Sequence, residues 1–210
     1  MAAGLKVYAI NGVTPVIEPG AFVHPEAVLI GDVIVEAGCY IGPCASLRGD
    51  FGRIIVGKGS NVQDGCILHS LPGFDAVIGE NGHIGHGAII HSARLSANVL
   101  VGMNAVVMDH ARIGESAIIA AMSFVKAGTE VPARHLAAGV PARVVRELSE
   151  KELAMKIEGT RKYQELAERS RATMRPAAPL DHFDPARARV DADISLPARN
   201  QLDRDKGLTD

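Results

Sequence analysis

The chain has 210 residues, a formal net charge of −2, 22 glycines, 4% aromatics and no Trp. This balance excludes the basic surface that a nucleic-acid or anionic-membrane partner requires, and it predicts a core of small and branched aliphatics rather than rings. Cys39, Cys44 and Cys66 form no C-x-x-C pair and leave an odd count, so reduced thiols and a cytoplasmic setting are expected.

The opening MAAGLKVYAINGVTPV lacks a basic and then apolar leader pattern, and no apolar run is long enough to span a membrane. From Val23 an aliphatic recurs every six residues: Val23, Leu29, Val35, Ile41, Leu47. After a slip the period resumes at Val56, Val62 and Leu68, and after a second slip at Ile78, Ile84 and Ile90. One residue is then dropped, and Leu95, Val101, Val107, Ile113, Ile119, Val125 and Val131 follow. The residue four after each aliphatic is usually small, such as Ala27, Cys39, Ala45, Ser60, Cys66 or Ala88. Repeated hexads of this kind read as an all-β solenoid, a parallel β-helix in which three hexads close one triangular coil. Cys39 and Cys66 fall on small inward positions and read as core, whereas Cys44 falls outside them.

Calling the hexads of a coil A, B and C, all three irregularities lie between a B hexad and the following C. They are Phe51-Gly52-Arg53, the stretch Leu71 to Asp75, and the residue dropped after Ile90. Insertions gathered on one edge of a solenoid mark its binding side. His69 and His91 are each the second residue of a B hexad in consecutive coils, so they should stack about 5 Å apart, with Arg48 one rung before them. His86 is the third residue of an A hexad, with Asp64 as its equivalent one coil earlier. Three neutral imidazoles with an open fourth position make a catalytic zinc shell, and a trimer would bring His86 of one chain to His69 and His91 of the next. His24, His83, His110, His135 and His182 read as solvated.

After residues 1–140, the predicted solenoid, Ser149 and Glu152 form a capping box for a helix reaching about Met174 within residues 141–175. Leu153, Ile157 and Leu166 would line its packed face, with Gly159 a weak point. Residues 176–210 are rich in Pro, Asp and Arg and predict an irregular tail.

NVQDGCILH (61–69), GHGAIIH (85–91) and SLRGD (46–50) resemble the γ-class carbonic anhydrase family. Over nearly the whole chain, SLRGDFGRI, NGHIGH, VGMNAVVMD and GVPARVVRELSEKEL resemble its PaaY/CaiE group, proteins of phenylacetic acid degradation and the carnitine operon. The resemblance implies a left-handed β-helix, a homotrimer and interfacial zinc held by His69, His86 and His91. It implies that Gln63 orients the water at the metal and that Arg48, Asp50 and Asp64 form a polar cluster at the site. It also implies a zinc-dependent hydrolase of acyl-CoA thioesters, with Phe51 and Phe74 bordering the acyl group. Carbonic anhydrase activity is the alternative, and the family's proton-relaying acids are missing here: Phe51 follows Asp50, and the loop after Leu68 carries one acid, Asp75. A hexapeptide acyltransferase and a CaiE-like accessory protein for CoA enzymes are the other readings.

Overall fold

The computed structural model describes residues 4–190 and is a parallel β-solenoid with one helix, the architecture of a left-handed β-helix of hexapeptide repeats. One face stacks Phe22–Val23, Tyr40–Ile41, Asn61–Val62, His83–Ile84, Leu100–Val101, Ile118–Ile119 and His135–Gly139 in parallel register. The other two faces form a single sheet, because Val28–Val35 and Ser46–Val56 are long strands that continue around a corner.

The hexad periodicity is the core. Every repeat aliphatic from Leu29 to Val125 is no more than 2% exposed. Each such side chain contributes roughly 1.5–3 kcal/mol by leaving water, so the column itself is the main stabilising feature. Cys39 and Cys66 lie inside it, where burial pushes their thiols up to about 12 and about 11. Cys44 is exposed.

One expected insertion is not a loop. Phe51-Gly52-Arg53 lies within the strand Ser46–Val56, which pairs with Val28–Val35 through a register irregularity between Gly31 and Val33. The long strands fit at this corner because glycines meet there. A Cβ on Gly31, whose φ is +71°, would stand 2.4 Å from the Gly49 carbonyl oxygen, and one on Gly49 would stand 2.4 Å from that of Asp32.

The end of the solenoid is closed by a hairpin rather than by the helix. His135–Gly139 turns through Val140-Pro141 into the antiparallel strand Ala142–Glu147. The helix then spans Glu150–Thr173, with the Ser149–Glu152 capping box formed and Met174 as its C-cap. It is unbroken at Gly159 and runs back along the first face, over the Phe22, Tyr40 and Asn61 rungs. Of the expected packed residues Leu153 is buried and Leu166 packs against Phe22, Tyr40 and Ala167, but the rest of the face differs. Ile157 is exposed, and the buried residues are Leu153, Lys156, Thr160, Ala167 and Ser170. Residues 174–190 carry neither helix nor strand, and the rest of the predicted tail, 191–210, lies outside the described residues. Among the described residues no helix is long and apolar enough to cross a membrane.

Candidate functional site

The B corner presents a hydrogen-bonded row. Parallel pairing places Arg48, His69 and His91 in one ladder, as hexad spacing predicts. Arg48 donates to Asp50 Oδ2 at 2.8 Å, and the other Asp50 oxygen lies 3.0 Å from His69 Nε2. His69 Nδ1 stands 3.0 Å from His91 Nε2, and His91 Nδ1 stands 2.5 Å from Asp109 Oδ1. Burial works against the Asp50 carboxylate, but its bonds to Arg48 and His69 outweigh that and hold it below its usual range.

The carboxylates dictate where the imidazole protons sit. His69 Nε2 donates to Asp50 and His91 Nδ1 donates to Asp109, since an ionised carboxylate only accepts. In neutral rings the two facing nitrogens then both carry lone pairs, and at 3.0 Å those repel unless a cation lies between them. A tetrahedral zinc shell with bonds of 2.0–2.1 Å separates neighbouring nitrogens by about 3.3 Å. The carboxylate behind each imidazole is also the usual arrangement around a metal-ligating histidine. His69 and His91 therefore offer two nitrogens of the kind that a metal shell uses.

The A corner holds the remaining predicted residues. His86 Nδ1 is 2.5 Å from Asp64 Oδ2, so the third imidazole has its own carboxylate. Gln63 is buried, and its amide nitrogen lies 2.9 Å from Asn61 Oδ1 and 2.8 Å from His83 Nε2. The predicted residues thus fall into two groups on different faces: Arg48, Asp50, His69 and His91 on one, Gln63, Asp64 and His86 on the other. Among the described residues of the single chain, no three or more His, Cys, Asp or Glu side chains are arranged to hold a metal ion.

Phe51 is 60% exposed with its ring centroid 5.5 Å from that of His69. Phe74 is also exposed and packs edge-on against His110, with ring centroids 4.4 Å apart. Asp75 pairs with Arg94 at 3.3 Å.

Sequence reasoning missed Asp109 and His83. Asp109 is the third residue of the B hexad that begins at Val107, so the column that aligns Arg48, His69 and His91 reads Met108 at the next rung and passes it by. His83 is not one of the solvated histidines expected. It precedes Ile84 in a column that otherwise reads Phe22, Tyr40, Asn61, Leu100, Ile118. Its signal is that pair of polar residues in an apolar column, which the helix covers. Burial, and after it the charges of Lys156 and His86, push the His83 imidazole down to about 4.

Residues 14–49 match the family model described as bacterial transferase hexapeptide (six repeats). Over 186 residues the chain is 54% identical to the carnitine operon protein CaiE of Salmonella agona (strain SL483), covering 89% of this chain and 94% of that protein. Among solved structures, a Bacillus cereus protein provisionally classed as an acetyltransferase superposes with a TM-score of 0.80 at 32% identity, covering 81% of this chain and 99% of that one. A hexapeptide transferase family protein from Anaplasma phagocytophilum superposes with a TM-score of 0.75 at 34% identity, covering 79% and 97%.

Proposed function

Since the chain belongs to the CaiE family of hexapeptide-repeat proteins, we propose that its two half-sites join across the boundaries of a homotrimer to hold zinc and hydrolyse acyl-CoA thioesters. The observation that carries this reading is the 3.0 Å approach of His69 Nδ1 to His91 Nε2, with a carboxylate behind each ring. The neighbouring chain's His86, oriented by its own Asp64, supplies the third nitrogen. When bound, the metal lowers the pKa of water towards about 7 and polarises a carbonyl oxygen.

The protein's own groups do the rest. Arg48 occupies one Asp50 oxygen and leaves the other for His69, which fixes the tautomer of that ring. Asp109 does the same for His91. Gln63 orients the attacking water. Phe51 and Phe74 border the acyl group with exposed rings. Fast CO2 hydration requires acids that carry protons away, and here Phe51 follows Asp50 while Asp75 is held by Arg94. A hexapeptide acyltransferase needs one histidine as base, and three histidines each backed by a carboxylate exceed that need.

The test is release of free CoA from a panel of aromatic and ring-derived acyl-CoA thioesters by the zinc-loaded protein and its His91→Ala variant. Zinc-dependent release, selective among acyl groups and at background in the variant, is expected. No release from a zinc-replete trimer contradicts the thioesterase assignment and leaves the accessory role for CoA enzymes.

A further inference from the structure

Between the C-terminal helix and the first face of the solenoid lies a polar cluster that the proposed reaction does not use: Asn61, His83, Lys156 and Thr160. Its hydrogen bonds can be followed one proton at a time. Thr160 Oγ1 donates to the Lys156 carbonyl oxygen at 3.2 Å, as a helical threonine bonds back one turn. The same hydroxyl oxygen is thereby free to accept, and His83 Nδ1 lies 3.4 Å away. With its proton on Nδ1, a neutral His83 carries a lone pair on Nε2. The Gln63 amide nitrogen, 2.8 Å away, donates to that lone pair. The second amide hydrogen goes to Asn61 Oδ1 at 2.9 Å. The Asn61 amide nitrogen lies 3.2 Å from His83 Nδ1 and 3.5 Å from the Gly82 carbonyl, to which it donates; a proton on Nε2 instead would face the Gln63 amide at the shorter distance of 2.8 Å. Both Gln63 hydrogens are consumed, so Oε1 is its one uncommitted polar atom among the described residues.

We propose that His83 is a positioning residue: anchored through Nδ1–H to Thr160 of the C-terminal helix, it accepts at Nε2 and fixes the Gln63 carboxamide with Oε1 as its free atom. Docking of the helix is thereby coupled to the group that meets the attacking water. This rests on the reading of Gln63 given above. The surroundings keep the ring in the required state. Lys156 and Tyr163 face it from the helix, the Tyr163 ring standing at 89° with centroids 5.3 Å apart, and Asn61, Gln63 and His86 approach from the solenoid. None of these is an anion that would stabilise an imidazolium. A charged His83 would donate from both nitrogens and drive the Gln63 amide away. Lys156 is itself held by neutral oxygens, Asn81 O and Asn98 Oδ1, each at 2.5 Å.

The experiment is 15N–1H correlation of the imidazole nitrogens in the full-chain protein at about pH 6 to 8, where tautomers of a neutral ring are distinguished. His83 is assigned by its absence from His83→Phe. A protonated Nδ1 and bare Nε2 are expected, and Thr160→Val, which leaves the solenoid untouched, should weaken that preference. A proton on Nε2 overturns the proposal, since Gln63 would then turn its oxygen inward. This readout is independent of whether the protein cleaves any thioester. On a thioester the wild type cleaves, His83→Phe should lower kcat roughly 10- to 100-fold, with KM and zinc content unchanged. An unchanged kcat overturns the positioning role.

Discussion

At the scale of single residues, the account turns on which nitrogen of each imidazole carries the proton. His69, His86 and His91 could be placed from spacing alone, because hexad register converts a sequence separation into a rung-to-rung neighbour. Their carboxylates were only partly legible: Asp50, Asp64 and Asp109 all lie in motifs, but Asp109, the last residue of VGMNAVVMD, shows its part only through its 2.5 Å contact with His91. Replacing Asp109 by Asn keeps the shape and removes the charge behind the ring. Asp109→Asn should therefore weaken zinc binding roughly 10- to 100-fold in a competition titration against a chelator. Unchanged affinity would mean that Asp109 does not support His91 as a ligand.

The helix is the element whose existence was legible and whose packing was not. Ser149 and Glu152 announce its start, and both halves of the capping box form. Its buried face followed the chemistry of the column beneath it instead of an apolar stripe. Over Phe22 and Tyr40 it places Tyr163, Leu166 and Ala167, and over Asn61 and His83 it places Lys156 and Thr160. No local pattern on the helix foretells that match, which depends on which rungs it crosses. The result is a buried ammonium with neutral partners, and burial pushes Lys156 down to about 7. Between about pH 7 and 10 the unfolded chain keeps a proton that the native state releases, so this residue makes stability rise with pH. Urea unfolding of wild type and Lys156→Met should show a difference that moves in favour of wild type as pH increases from about 7 to 9, by up to a few kcal/mol. A constant difference would show that Lys156 stays charged in the native state.

For the whole molecule, the solenoid was the most legible feature, because a repeat that feeds one inward position per hexad leaves its period in the sequence. What the period alone could not show is where long strands replace turns, as at Phe51-Gly52-Arg53, since that depends on glycines from neighbouring coils meeting at one corner. The same regularity separates the proposed half-sites: B residues and A residues of one chain lie on different faces, and among the described residues of a single chain no three such side chains are arranged to hold a metal ion. The proposed cyclic trimer, whose head-to-tail boundaries repeat by rotation, would join them.

The most direct measurement of that claim is the zinc content of mixed trimers, purified with two tags after co-expression of His69→Ala and His86→Ala chains. Each parent alone should bind little zinc. Random assembly places an intact half from each chain at about one boundary in every mixed trimer, by the rotational symmetry of the ring. Zinc at about one third of the wild-type sites in mixed trimers is the predicted result. Mixed trimers holding no more zinc than the parents, or parents that bind zinc fully, would contradict a centre shared between subunits.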